Sequence, residues 1–447
     1  MKTNYFKSIF ALTFILTATF SFAQRATLAS GKIEVDYHSC PYTPSEEPVD
    51  FYLPRSERVA QRMESRQAPC SSFIVTYNGF TPQAQAAFQF AVEIWENELD
   101  SSVPIRVNAQ FGPLNPGVLG GAGPDGFFVL TGPGIPPNTL FPAPLAEQML
   151  GEDSDGPGGT SNDINATFSS TANFYFGTDG NTPPGQIDFV TVVLHELGHG
   201  LGVLGLGAVT MDGTQGFIRR DNDGNPATPP VLVSIWDTFI DAEDILNNLI
   251  PILDETPPFG FPDPSPALLG AMTSGELTSR GPIAVGQNGG VQPATFAPGT
   301  FQTGSSYSHW DEATFNGTQN ALMTPSVAPG EAIHQPGEIN LGFMEDMGWT
   351  LCDRSLSVDE VALEEIEIGP NPFRETITVN IPSRLSNDDY DISIIDINGR
   401  IILTKEASNI NGEITLSNLS QLGDALYFLQ LRNKTTGNNI TRKLVKN

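Results

Sequence analysis

Two histidines, His195 and His199, stand four residues apart with Glu196 between them, in the run from Asp188 to Gly202. Four residues is close to one helical turn, so on a helix both imidazoles lie on one face and can converge on one ion. The glutamate projects beside them, within reach of a water held there. This is the His-Glu-x-x-His zinc signature. Zinc lowers the pKa of a bound water to about 7, and Glu196 is placed to take its proton as general base and pass it to a leaving amine. The competing reading is two unrelated histidines. The chain has only five histidines in 447 residues, which makes that placement around a glutamate a poor candidate for accident.

Two histidines do not complete a catalytic zinc site, which takes three protein ligands and keeps a fourth position open. In the compact pattern the second histidine is followed by Gly-x-x-His. Gly202 matches the glycine, which allows a sharp turn, but the histidine position is Gly205. The third ligand must come from elsewhere, and His38, His309 and His334 remain. His309 lies in Ser306-Tyr307-Ser308-His309-Trp310-Asp311-Glu312, and fourteen residues later comes Ala321-Leu322-Met323-Thr324-Pro325. Met323 there suits a Met-turn, an apolar floor beneath a metal. In these features residues 71–352 resemble the leishmanolysin-like branch of the metzincin zinc peptidases. That branch also has a third histidine displaced downstream, in a Ser-His-Trp-like context before a Leu-Met-x-Pro turn, then a helix ending near Gly-Trp, here Leu341 to Trp349. The resemblance implies the ligand set His195, His199 and His309, Glu196 as catalytic base, Met323 as the Met-turn, and a protein or peptide substrate. His334 is the competing ligand but follows the Met-turn. A gluzincin alternative would use Glu243, in the helix-like run Trp236 to Glu243.

Elements must hold these residues in place. Phe189, Val192, Val193 and Leu197 recur at helical spacing, with Asp188 as N-cap. A second amphipathic helix runs from Phe80 to Leu99, opened by Thr81-Pro82. Pro104–Val107 and Asp163–Phe168 read as strands. The second of these is a candidate edge strand that would bind a peptide by β-addition, with a plain structural strand as the equal alternative. Among Cys40, Cys70 and Cys352, a Cys70–Cys352 bridge would staple the two ends of one domain and is preferred to Cys40–Cys70. Asp221–Asn225 and Glu152–Gly156 carry alternating oxygen ligands suited to Ca2+, but they lack the full EF-hand spacing and read better as solvated turns.

The organisation predicted for the whole chain is a signal peptide at 1–23, a pro-like segment at 24–70 with one short helix, a zinc peptidase domain at 71–352, a linker at 353–364 and a third part at 365–447. The signal rests on Lys2 and Lys7, a short apolar run and Ser21-Phe22-Ala23. No later segment is long and apolar enough to span a bilayer. From Glu365 on, the apolar period becomes two, in runs such as Ile377–Ile381 and Tyr427–Leu431, with turn signals at Asn398-Gly399, Asn411-Gly412 and Thr436–Asn438. That predicts a small β-sandwich. Its Ile368-Gly369-Pro370-Asn371-Pro372-Phe373 opening, Asp396-Ile397-Asn398-Gly399-Arg400 turn and basic end Arg442–Lys446 resemble the C-terminal sorting domain of type IX secretion substrates. The resemblance implies contact with that secretion machinery and a secreted or cell-surface location. The expected fold class is α+β, a metzincin-like domain followed by an all-β sandwich. The formal net charge of −29 argues against a nucleic-acid partner.

The reading of function is a secreted zinc metalloendopeptidase. Its rivals are a catalytically silent surface or adhesive protein that keeps zinc for structure, and a zinc hydrolase of a non-peptide substrate. Restraint before export is expected from residues 24–70, through a Cys40 thiolate, or a carboxylate of Asp36 or Asp50, in the open zinc position. The alternative is a Cys40–Cys70 bridge and a purely structural arm.

Overall fold

The computed structural model describes residues 26–35, 42–45, 48–154, 161–221, 231–352, 366–381, 389–396, 401–407, 412–417, 419–434 and 439–447. The signal segment, His38, Cys40, Asp36, the linker and the Asn398-Gly399 and Thr436–Asn438 turns lie outside them, as do parts of both acidic stretches. The chain divides into two compact units, residues 1–352 and 353–447.

In the first unit the elements that bear on the site are β1 (Thr43–Pro44), β2 (Phe51–Leu53), α1 (Glu57–Ser65), β3 (Phe73–Asn78), α2 (Pro82–Glu96), β4 (Ile105–Gly112), β5 (Gly120–Pro124), β6 (Ile164–Ser169), α3 (Phe189–Gly200), β7 (Ile240–Glu243), β8 (Ser326–Val327), β9 (Glu331–Ile333) and α4 (Glu338–Met347). A four-stranded sheet runs in the order β3-β4-β6-β5, with β3, β4 and β6 parallel and β5 antiparallel to β6. In β4 the alternate residues Ile105, Val107 and Ala109 are buried, the pattern of a strand packed on one face. Helix α2 starts where Thr81 caps it, its hydroxyl accepting from Ala84 N–H, with Pro82 at the first position. It packs against α3, and Trp95 donates its indole N–H to the Leu194 carbonyl at 3.1 Å. Helix α3 in turn packs on β5 and β6.

Two expectations are corrected. The strand Asp163–Phe168 is interior: as β6 it pairs with β4 on one side and β5 on the other. The sheet edge is β5, whose Gly120-Gly121-Ala122-Gly123 run lacks the bulky residues that announce a strand. Those glycines fit the space, because a Cβ at Gly120 would stand 3.0 Å from the Phe168 ring. The run Trp236–Glu243 is not a helix. One 3₁₀ turn, Trp236–Phe239, leads into β7, which pairs with Leu249–Pro251 and Thr278–Ser279. Pairing with one strand close in sequence and one distant in sequence overrode the helical spacing there.

The segment before Cys70 is built into this unit. Its short helix, α1, is capped by Ser56. Arg58 pairs with Glu98, and Arg62 Nε donates to Asn97 Oδ1 at 3.2 Å, both at the end of α2. Cys70 is bridged to Cys352, with Cα atoms 5.5 Å apart.

The second unit has β10 (Glu367–Gly369), β11 (Ile377–Asn380), β12 (Tyr390–Asp396), β13 (Ile401–Ala407), β14 (Glu413–Leu416), β15 (Leu426–Asn433) and β16 (Asn439–Val445). They form two antiparallel sheets, β10-β11-β14 and β13-β12-β15-β16. One core joins them, with Phe373, Ile377, Tyr390, Ile394, Leu429 and Leu431 buried. Asn371, within the Pro-Asn-Pro opening, accepts from Val445 N–H and donates to the Lys443 carbonyl, both at 2.8 Å.

Candidate metal centre

Helix α3 carries the first two histidines. Asp188 caps it, accepting from Thr191 N–H at 2.8 Å. Every residue of α3 is buried, so its apolar spacing marks a core helix rather than a surface one. Gly202 follows with φ +113°, a backbone state that glycine adopts readily. Gly205, at the place of the compact pattern's histidine, instead binds the segment that supplies the third. Its N–H donates to Ser308 Oγ at 3.1 Å, and a Cβ there would stand 2.5 Å from the Tyr307 ring. The Ser305–Trp310 segment is held from its other side by Phe296, which accepts from Tyr307 N–H and donates to the His309 carbonyl, both at 2.8 Å.

His195, His199 and His309 come together as a result. Their Nε2 atoms lie 3.0, 3.1 and 3.3 Å apart, and all three rings are fully buried. Each Nδ1 meets a main-chain carbonyl: His195 at Leu322, 2.7 Å; His199 at Val203, 2.6 Å; His309 at Ser305, 2.6 Å. A carbonyl only accepts, so each Nδ1 is the protonated nitrogen and each Nε2 presents a lone pair to the shared point. Three lone pairs this close repel one another unless a cation lies between them. Tetrahedral zinc at 2.0–2.1 Å from nitrogen would space its ligand atoms roughly 3.3 Å apart, so the donor set fits that ion. Burial holds His195 and His309 well below the usual histidine range, the neighbouring rings adding to it, and brings His199 down to about 4.

Glu196 is fully buried, and neither carboxylate oxygen has a hydrogen bond of ordinary geometry. Burial pushes its carboxyl well above the usual carboxylate range, and the Ala122 backbone on β5 opposes this in part. Met323 is buried in a turn closed by Thr324 N–H on the Ala321 carbonyl at 3.1 Å, and its sulfur lies directly below α3, where a Cβ at Gly198 would approach it to 2.8 Å. Its carbonyl accepts from Trp310 N–H at 2.9 Å, joining the Met323 turn to the His309 segment.

The rival ligands are elsewhere. His334 is paired with Asp188 at 3.0 Å, at the opposite end of α3 from His199, with both groups buried. Glu243 lies on β7 outside the histidine group. Asp50 is exposed, whereas the histidines are sealed. Tyr42 is the residue that sequence reasoning missed. It is fully buried and stacks on His195, with ring centroids 3.7 Å apart and planes 8° from parallel. Nothing local to Tyr42 signals this, because its partner is far away in sequence.

Comparison with known proteins locates one segment firmly. Residues 367–447 match the secretion system C-terminal sorting domain, and residues 134–239, which include α3, match a family described as SPBPB7E8-like. The chain therefore carries a type IX sorting domain, which implies contact with that secretion machinery, and is a secreted or cell-surface protein. Among the described residues no helix is long and apolar enough to cross a membrane. No curated protein matches the chain. Of solved structures, PorZ, a surface component of the type IX secretion system of Porphyromonas gingivalis, aligns at 14% identity over 19% of this chain and 12% of its own, with a TM-score of 0.17. Latent PorU from the same organism aligns at 21% identity over 18% of this chain and 9% of its own, with a TM-score of 0.15. An immunoglobulin-like β-sandwich protein from Bacteroides vulgatus aligns at 18% identity over 18% of this chain and 96% of its own, with a TM-score of 0.15. At these scores no common fold follows, and the chain spans only a small part of PorZ and PorU.

Proposed function

We propose that residues 71–352 form a zinc-dependent endopeptidase of metzincin type, and that the chain acts on protein or peptide substrates outside the cell. The observation that carries this reading is the convergence of three histidine Nε2 lone pairs, each set by an Nδ1–H on a main-chain carbonyl, next to the buried carboxyl of Glu196. Backbone carbonyls in that role fix the tautomer and orientation of metal-binding rings. A bound zinc supplies Lewis acidity and brings the pKa of a water to about 7. His195, His199 and His309 would hold the ion. Glu196 takes the water's proton on a carboxylate oxygen and delivers it to the leaving amine. The side of β5 away from β6, which Tyr42 meets at Gly120, would give an extended peptide backbone a row of groups to pair with.

The test is cleavage of a quenched peptide library by the purified chain, both full-length and trimmed ahead of Cys70. Chelator should abolish cleavage, and Glu196→Gln should lower it by about 10²–10⁴ while zinc content stays at that of the wild type. A silent zinc protein would show stoichiometric zinc and no cleavage, and a non-peptide hydrolase would show chelator-sensitive turnover of esters alone.

A further inference from the structure

Residues 42–45 cross the histidine site in an extended conformation and are tied to it on both sides. On one side Tyr42 bridges antiparallel to Gly120 on β5, and its carbonyl accepts from Leu119 N–H at 2.9 Å. On the other, Thr43 and Pro44 pair parallel with Ser326 and Val327 on β8, just past Met323, and Ser45 N–H donates to the Val327 carbonyl at 2.8 Å. Strands β5 and β8 thus run in opposite directions with one chain between them. The other side of β5 is already taken by β6, and Tyr42 occupies the start of its free side, at Gly120, where an incoming peptide would have to pass. The Tyr42 ring fills the space over His195, and its hydroxyl lies 3.5 Å from the Ser326 carbonyl.

We infer that Tyr42–Ser45 holds the place of a substrate: the cleft takes an extended peptide with an aromatic side chain over His195, and the full-length chain is closed to it while this segment is seated. This rests on the peptidase reading. It assigns restraint to main-chain pairing and an aromatic anchor, with no thiolate required. A planar ring stacked on an imidazole favours another aromatic there over an aliphatic or small side chain.

The probe is a fluorescein-labelled peptide with the sequence of residues 38–48, its cysteine replaced by serine, and a twin with alanine in place of the tyrosine. Binding is read by anisotropy in the presence of chelator, so that turnover plays no part. The wild-type chain should bind neither peptide. The Tyr42→Ala chain should bind the tyrosine peptide about tenfold more tightly than its twin. Equal binding of both peptides, or of neither, by a Tyr42→Ala chain with native circular dichroism would overturn the inference. Should that variant not fold, Tyr42→Leu keeps apolar bulk in the seat while giving up the stacked ring. It should admit the tyrosine peptide selectively, and its failure to do so while folded also overturns the inference. Cleavage assays on zinc-loaded chains separate this from the peptidase reading. Selective binding without cleavage sinks only that reading. Cleavage of tyrosine peptides by wild type as fast as by Tyr42→Ala sinks only the inference.

Discussion

Each histidine nitrogen facing away from the shared point is claimed by a carbonyl, and those three hydrogen bonds decide what the inner nitrogens can do. A ring so fixed cannot rotate to find another partner, so loss of one ligand is not made good by a neighbour. His309→Ala should lose zinc and activity together. His334→Ala should keep zinc, because His334 is committed to Asp188, and should cost about 1–3 kcal/mol in stability by leaving a buried acceptor short of a donor. Metal content and denaturant melts of the two purified variants check both. Asp237 supports the loop after α3, accepting from Leu206 N–H at 3.0 Å and Ser234 N–H at 2.7 Å. Burial raises its carboxyl from the ordinary aspartate range to about 6. The folded state therefore binds the proton more tightly than the unfolded state, and its stability falls as pH rises from about 4 to about 6 and then levels. Measured against Asp237→Asn, whose amide does not titrate, the wild-type melting temperature should drift down across that window and run parallel above it.

At the scale of elements, α3 is set by close approach more than by propensity. Gly198 leaves room for the Met323 sulfur, and a Cβ at Gly200 would come within 2.5 Å of Ile164 Cγ2 on β6. Alanine at position 200 gains about 1 kcal/mol in helix propensity. Forcing a methyl against a β-branched side chain in a packed core costs about 1–3 kcal/mol. The second term wins, so Gly200→Ala should lower stability in a urea melt; a gain would show that the helix and sheet can separate without cost. The same closeness brings the Ala122 backbone of β5 beside the buried Glu196 carboxyl.

At the scale of the molecule, each unit has its own core, and the histidine group lies wholly in the first. The Cys70–Cys352 bridge closes a loop of 282 residues around that unit. Cross-linking so long a loop removes much of the unfolded chain's freedom, and replacing both cysteines by serine should cost about 2–5 kcal/mol in denaturant. The β-sheets of the second unit, with the matched sorting domain at 367–447, provide the address for export.

Much of this was legible along the chain, and the reason is range. Helix α3, its Asp188 cap, α2 with its Thr81-Pro82 start, and the period-two runs of the second unit depend on neighbours within a few residues. The spacing of His195, Glu196 and His199 is a property of one helical turn. His309 and Met323 were recognisable only through a resemblance, since no local rule joins residues separated by 110 positions. The edge strand was misassigned because its identity depends on which side of β6 remains open, and that is settled by pairing, not by composition. Likewise Glu243 fell on a strand because Leu249–Pro251 and Thr278–Ser279 offered it backbone partners. Tyr42 stands last in this order: its ring meets His195 across 153 residues of chain, and only the packed structure, where burial and backbone pairing act together, brings the two face to face.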